Sequence, residues 1–351
     1  MSADPLLIYG ATGFSGRLMA SGALATGLRP ILGGRDEQKV AALAGELGLE
    51  HRIATLEDPV ALDAALRDVH VVLHAAGPFS RTSQPMVDAC LRRGSHYLDI
   101  TGEVRVIEAL AVRDTEARAR GVMLMPAVGF DVVATDCLAA HVARRLPGAR
   151  RLALGVSGLA LLTRGSARTL VEAADFGVVR RGGVISRVPL GSLQRDFDYG
   201  GGSRPSVNIS WGDVASAWYT TGIPDIAVYA EGTTALQGAL AVSRSFGWLL
   251  GTALWQAWLR GSTSLLPDGP SEAERATRRM TVVAEVEDGR GRRAASRLRT
   301  PEAFTFTGVA GPAIARRVLA RDLEVGFQTP ARVYGSDFVL ALAGVSREDL
   351  A

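Results

Sequence analysis

Lysine is almost absent. Of 39 basic residues in the 351-residue chain, Lys39 alone is lysine and the other 38 are arginine. The Tyr-x-x-x-Lys pair of short-chain dehydrogenases is therefore excluded, because none of the six tyrosines has a lysine four residues on. Schiff-base catalysis meets the same obstacle. Cysteine is equally scarce. Cys90 and Cys137 stand alone, without metal-ligand spacing, in apolar helical patterns. They read as buried free thiols in a reducing compartment. The five histidines (His51, His70, His74, His96 and His141) form no H-x-x-x-H pair, so no zinc site is expected. No G-x-S-x-G elbow occurs, which argues against a hydrolase. The first residues show no basic region followed by an apolar run. No signal peptide is expected, and the cytoplasm is the expected location. A net charge of only +3 gives no reason to expect a nucleic-acid partner.

What is present is an ordinary globular balance, 47% hydrophobic and 21% charged, in a chain long enough for about two domains of ~150 residues. Short apolar runs alternate with helical patterns through the first part. Leu6–Gly10, Pro30–Gly34, Arg52–Leu56, Val69–Ala75, His96–Ile100 and Val122–Pro126 read as strands. Helical periodicity falls between them, over Phe14–Thr26, Asp36–Leu47, Pro59–Arg67, Gln84–Arg93 and Val104–Arg120, and follows them over Val133–Arg145. Such alternation predicts an α/β fold, a doubly wound parallel sheet over residues 1–148. Beyond Ala149 glycines cluster and alternation takes over, which predicts an inserted α+β domain over 149–325 for substrate and dimerisation. Gly289-Arg290-Gly291 between two alternating segments predicts a hairpin. The segment 326–351 is expected to rejoin the first domain.

The most informative motif is Gly10-Ala11-Thr12-Gly13-Phe14-Ser15-Gly16, placed after the first strand and opening the first helix. Its G-x-x-G-x-x-G spacing is a variant of the dinucleotide fingerprint. Gly10 permits the tight turn, Gly13 lets backbone approach a pyrophosphate, and Gly16 lets helix and sheet pack closely. Free N–H groups at the helix start bind the phosphates. At the end of the second strand stands Gly33-Gly34-Arg35-Asp36, with Lys39 one turn later. Arg35 and Lys39 suit a 2′-phosphate, so NADP(H) is favoured; Asp36 could instead take the ribose of NAD. Ala76, Gly77, Pro78 and Phe79 end the fourth strand, where small residues let backbone come close to the cofactor ribose.

These motifs, with Tyr97-Leu98-Asp99-Ile100-Thr101-Gly102-Glu103, Gly129-Phe130-Asp131 and Gly326-Phe327-Gln328-Thr329-Pro330 followed by Tyr334-Gly335, resemble the saccharopine dehydrogenase-like reductases. The likeness is nearer to the branch named for trans-acting enoyl reductases. The resemblance implies a Rossmann domain, an inserted domain for dimerisation and substrate, and NADP(H). It leaves the substrate open. The expected chemistry is hydride transfer to an activated C=C bond, such as that of an enoyl thioester. Reduction of an imine or dehydrogenation of an amino acid, and a non-catalytic NADP-binding or lipid-associated scaffold, are the alternatives.

In an open parallel sheet the ligand lies over the carboxyl ends of the strands. Asp99, Glu103 and Asp131 are the polar groups that this topology brings near the nicotinamide; Tyr97, Asp99 and Asp131 are the candidate catalytic groups, Tyr97 and Asp131 as possible proton sources beside bound water. Each also has a structural reading: Asp131 as a helix cap, Tyr97 as core, Asp99 as a loop anchor, and Glu103 as an exposed first-turn acid. Ser245 to Leu259 carries no charge and includes Trp248, Trp255 and Trp258. At ~1.5 Å per residue it is too short to span a membrane. It reads as a buried or intersubunit helix, with peripheral membrane contact as the alternative. Arg275–Arg299 holds eight arginines. It reads as a solvated hairpin, or as a docking surface for an acyl-carrier protein.

Overall fold

The computed structural model describes residues 5–159, 177–189, 191–232 and 269–350. The stretch 245–259 lies outside them. In chain order the first elements are β1 (Leu6–Tyr9), α1 (Phe14–Ala25), β2 (Ile31–Gly34), α2 (Glu37–Leu47), β3 (His51–Ile53), α3 (Pro59–Ala65), β4 (Val71–His74), α4 (Phe79–Arg93), β5 (His96–Asp99), α5 (Val104–Ala111), α6 (Asp114–Ala119), β6 (Met123–Met125) and α7 (Phe130–Arg145). Then come β7 (Ala149–Ser157), β8 (Gly177–Arg181), β9 (Val184–Val188), β10 (Gln194–Asp198), β11 (Ser203–Ile209), α8 (Asp213–Thr221), β12 (Asp225–Glu231), α9 (Glu272–Thr277), β13 (Arg279–Asp288) and β14 (Arg293–Pro301). The chain closes with α10 (Ala303–Leu319), β15 (Gly326–Phe327), α11 (Pro330–Tyr334) and β16 (Ser346–Leu350).

Two compact units emerge, Met1–Val133 with Phe304–Tyr334, and Ala134–Ala303 with Gly335–Ala351. The first is built on a seven-stranded parallel sheet of order β15-β6-β5-β4-β1-β2-β3. This is the doubly wound order, with the topological switch point between β1 and β4. The continuous apolar runs explain the central strands: every residue of β1 and β4 is buried, as layers on both faces require. Local chemistry marks the helix ends. Asp36 caps α2 by accepting the Lys39 N–H (3.1 Å), and Asp58 caps α3 by accepting from Val60 and Ala61 (2.9 and 3.0 Å). Gly48 and Gly94 end α2 and α4 at φ +64° and +72°.

The unit boundaries differ from the expected 148/149 and 325/326. Helix α7 passes from the first unit into the second at Ala134. There Thr135 donates to Asp213 (2.8 Å) and Asp136 accepts from Thr220 (2.6 Å), both partners lying on α8. Helix α10, unmarked in the sequence pattern, belongs to the first unit. Its backbone lies so close to α1 that a Cβ on Gly22 would sit 1.9 Å from the Gly308 carbonyl oxygen. The rejoining segment ends at Tyr334, and β16 instead pairs with β14 in the second unit. The predicted helix over 104–120 is divided in two, α5 and α6, at Arg113, whose guanidinium turns to Glu116 (2.8 Å) and Asp88.

The second unit is a mixed sheet of order β10-β11-β12-β7-β13-β14-β16, with β8 attached at β12 and β9 at β8. The expected hairpin is β13–β14, in register from Arg279↔Pro301 to Glu287↔Arg293. Asp288 closes its turn by accepting the Arg290 and Arg292 N–H groups (2.8 and 3.0 Å). Among the described residues no helix is long and apolar enough to cross a membrane.

Candidate active site

The glycine turn forms the cradle that its spacing predicts. Gly10 has φ +84°, and its N–H and that of Ala11 donate to the Gly33 carbonyl (2.9 and 3.2 Å). A Cβ on Gly10 would meet the Ala76 nitrogen at 2.7 Å, and one on Gly16 the Gly10 carbonyl oxygen at 2.3 Å. Both positions are closed to any side chain. Gly13 differs, since its Cβ would meet only the Gly10 oxygen, at 3.3 Å. Gly13 is the exposed N-cap of α1, with no side-chain cap and no acid in the first turn. The helix start therefore presents N–H groups and the positive end of its dipole outward, as a pyrophosphate needs. Ala11 is buried, Thr12 and Ser15 are half-buried, and Phe14 meets Phe304 edge-to-face at 5.1 Å.

At the end of β2, Gly34 is buried under Val40 and Arg35 is exposed. Lys39 lies 2.9 Å from the Asp36 carboxylate it also meets through its backbone N–H. The hydrogen bonds from Lys39 hold Asp36 below the usual carboxylate range. Asp36 is thus engaged by Lys39, and Arg35 is the cation turned outward to meet a phosphate.

The loop after β4 carries Ala76, a cis Gly77–Pro78 peptide and the buried Phe79, which opens α4. Helix α4 is capped from a distance. Glu103, from the loop after β5, accepts the N–H groups of Phe79 (2.8 Å) and Ser80 (2.9 Å). The sequence reading of Glu103 as an exposed acid missed this role, because its partners stand more than twenty residues earlier. Two hydrogen bonds to a charged acceptor are at stake, so Glu103→Ala is expected to cost about 2 kcal/mol. It should also raise the KM for NADPH by loosening the loop. Denaturant unfolding and steady-state titration read the two effects; unchanged values in both would remove the role.

Beneath these loops lies a buried polar line. The Tyr97 hydroxyl donates to Asp99 (2.8 Å) and stands 3.4 Å from His74 Nδ1. All three residues are 0% exposed. Burial pushes Asp99 up to about 6, against the pull of its hydrogen bonds, and pushes Tyr97 well above its ordinary value. It also holds His74 neutral, at about 3. The other Asp99 oxygen accepts the N–H groups of Thr101 (2.9 Å) and Ala127 (2.8 Å). Ala127 has φ +62°, a left-handed conformation costing an L-residue about 1–3 kcal/mol. Asp99 thus ties the loop after β5 to the loop after β6 and holds that turn. Tyr97 and Asp99 are sealed from solvent, so the structure places them under the site and not on its surface.

Asp131 is placed differently. It stands in the first turn of α7, half-buried, and a Cβ on Gly102 would come 2.6 Å from its carboxylate. Gly102 leaves the space that this carboxylate occupies. Burial raises Asp131 to about 6. The Phe130 N–H at the start of α7 is taken by Thr307 Oγ1 (3.0 Å) of α10. No local signal pointed to Thr307, 177 residues away in sequence. The carboxyl ends of β1, β2, β4, β5 and β6 together bring the cradle, the Gly77–Pro78 loop and Asp131 to one edge of the sheet.

Residues 6–125 match the family described as the saccharopine dehydrogenase NADP binding domain. The first unit is accordingly an NADP-binding Rossmann domain, and its cradle fits that cofactor. The chain is similar to the trans-acting enoyl reductase of Mycobacterium leprae, 34% identical over 149 residues, which is 40% of this chain and 36% of that relative. It is similar to that of Mycobacterium tuberculosis at 31% over 148 residues, 40% and 35% of the two chains. The matched part is thus about a third of these relatives' length. In fold, the apo saccharopine dehydrogenase (L-Glu forming) of Saccharomyces cerevisiae is similar over 99% of both chains, with a TM-score of 0.68 and 14% identity. The family resemblance carried by the motifs is therefore found again in the domain and in the fold.

Proposed function

We propose that the chain is an NADPH-dependent reductase of an activated C=C bond, with an enoyl-thioester-type substrate presented as a small molecule or on an acyl-carrier partner, and that it acts as a homodimer in the cytoplasm. The observation that carries the reading is the phosphate cradle Gly10–Gly16 with Arg35 beside it, in a domain whose curated relatives are named trans-acting enoyl reductases. The cofactor contacts fall to Gly10, Ala11, Thr12, Gly13, Phe14, Ser15 and Gly16 at the pyrophosphate. Gly34, Arg35 and Lys39 serve the 2′-phosphate, and Ala76, Gly77, Pro78 and Phe79 the ribose. NADPH, when bound, supplies the hydride.

This chain's own residues then hold the proton. Asp131 is raised to about 6 by burial, so a fraction of its carboxyl groups remains protonated near neutral pH. It donates that proton to the α-carbon as the β-carbon is reduced. Asp99 and Tyr97 act through the backbone, keeping the loops after β5 and β6 in place. The imine-reducing alternative is supported by the match of residues 6–125 to the saccharopine dehydrogenase NADP binding domain and by the fold. NADPH oxidation followed at 340 nm across enoyl thioesters and cyclic imines separates the two. Turnover of imines only would overturn the C=C reading, and tight NADPH binding without any turnover would favour a scaffold.

Asp131→Asn is expected to lower kcat by about 10²–10⁴, the range of general acid catalysis. In the parent, turnover should fall as pH rises through about 6, and the variant should lose that limb. Stability gives a second reading with a fixed sign. The folded-state pKa lies above the unfolded ~3.9. The fold therefore holds this proton more tightly than the unfolded chain does. That advantage is full below the unfolded pKa and is lost as pH climbs through the folded one. Asp131→Asn should consequently melt above the parent at pH 8, with the gap closing by about pH 4. An unchanged kcat profile would reject Asp131 as the donor.

A further inference from the structure

The second unit holds a cavity of about 510 Å³ on the face of its sheet, lined wholly by residues of that unit. Its floor is made of two small side chains in register, Ala153 of β7 and Ala227 of β12. Leu193 and Val179 supply apolar walls. Around them stand five arginines and three carboxylates. The carboxylates are already engaged. Glu285 accepts from Arg195 (3.0 Å), Glu287 from Arg151 (3.1 Å) and Arg293 (2.8 Å), and Asp225 from the Gly182 N–H (2.8 Å). Arg181 is exposed on the rim and pairs with no carboxylate among the described residues. Tyr229 lines the cavity, and its hydroxyl makes no hydrogen bond among the described residues. The charges of Arg195 and Arg181 both act on that hydroxyl, opposing the effect of its burial.

The Tyr229 hydroxyl keeps some access to solvent and is free to donate to an acceptor in the cavity. The Arg181 guanidinium, which meets no carboxylate among the described residues, acts on it electrostatically, and a small apolar floor lies below. The acceptor that satisfies both groups is an anionic oxygen. We propose that this cavity binds a small amphiphilic anion, its phosphate or carboxylate head held by Arg181 and the Tyr229 hydroxyl and its short aliphatic body lying on Ala153 and Ala227. The Arg195–Glu285 pair forms one wall and keeps Glu285 from repelling the head group. The inference is independent of the reductase reading, since no residue of the cradle takes part.

The test is calorimetric titration of the full chain with inorganic phosphate, hexyl phosphate and hexanoate at constant ionic strength, with chloride as the background anion. Saturable binding of one ligand per chain is expected, tighter for hexyl phosphate than for inorganic phosphate because of the apolar floor. The preferred head group, phosphate or carboxylate, identifies the class of natural ligand. Arg181→Ala should weaken binding about tenfold or more, as the loss of a charge-assisted contact does. The residue is exposed, so the melting temperature without ligand should not change. Tyr229→Phe should weaken binding about threefold to tenfold, the worth of one hydrogen bond. Absence of saturable binding with all three probes would overturn the proposal. So would dissociation constants unmoved by either variant.

Discussion

Gly16→Ala is expected to abolish NADPH binding and to destabilise the protein by about 3 kcal/mol, the upper end of overpacking costs. The added methyl would sit 2.3 Å from the Gly10 carbonyl oxygen and 2.8 Å from the Ala11 Cα. Both are backbone atoms, held by the hydrogen bonds of Gly10 and Ala11 to Gly33. They cannot swing aside as a side chain can. Helix α1 would have to lift off β1, carrying the phosphate-binding N–H groups with it. Gly13→Ala supplies the contrast. Its methyl would meet one atom at 3.3 Å and otherwise points into open space. The fold should lose only about 1 kcal/mol, the worth of a cap position. Cofactor affinity should still fall sharply, because the proposed binding mode puts the pyrophosphate in that open space. Denaturation curves and NADPH titrations of both variants check the pair. Equal loss of stability in the two, or normal NADPH affinity in Gly13→Ala, would contradict the assignment of the turn.

Arg35→Ala is expected to weaken NADPH binding about 10- to 100-fold and to leave NADH binding nearly unchanged, because one charge-assisted contact to the 2′-phosphate is worth about 1.5–3 kcal/mol. The specificity ratio is the informative quantity, since a merely structural effect would lower both affinities together. Lys39→Ala should be weaker. Its ammonium is 2.9 Å from Asp36 and 71% exposed, so it reaches a phosphate only by leaving that partner, in a setting where water already screens the charge. Removing it also frees the Asp36 carboxylate, which would admit NADH better. A Lys39→Ala variant with improved NADH binding and a modest loss for NADPH is the expected outcome. Loss of both cofactors to the same extent in Arg35→Ala would place the 2′-phosphate elsewhere.

The geometry of the proposed cofactor cradle was legible because its determinants are local. Gly10, Gly13 and Gly16 lie within seven residues, between an apolar run and a helical pattern, and each has a distinct steric reason. The buried strands β1 and β4 announced themselves through continuous apolar runs. The proton-transfer half was legible only as a set of candidates. Tyr97 and Asp99 lie in β5 and Asp131 in the first turn of α7, and nothing local says which of them faces the solvent. That distinction depends on Gly102 leaving space for Asp131, and on Asp99 being consumed by Thr101 and Ala127. Helix α10 was illegible for a related reason. Gly308, Gly311 and Pro312 read as helix breakers. Their value appears only against α1, where a Cβ on Gly308 would meet Leu18 Cβ at 3.2 Å and one on Gly311 would meet Met19 Sδ at 3.0 Å. Glycine penalised locally is here the condition for close helix approach.

The contact between Gly22 and Gly308 sets an order of events during synthesis. When the ribosome has made the strands and helices up to Val133, the cofactor unit still lacks α10, β15 and α11. One face of α1 and the outer edge of β6 are then bare, although every strand of the phosphate-binding core is present. The missing pieces emerge only after the whole of Ala134–Ala303, a delay on the order of ten seconds or more at ~5–20 residues per second. The growing chain thus carries an almost finished nucleotide fold whose open sheet edge could pair with a neighbour on the same polysome. The Thr307 hydroxyl that holds the Phe130 N–H arrives in the same late segment. Completion of the loop that presents Asp131 therefore waits for translation to near its end.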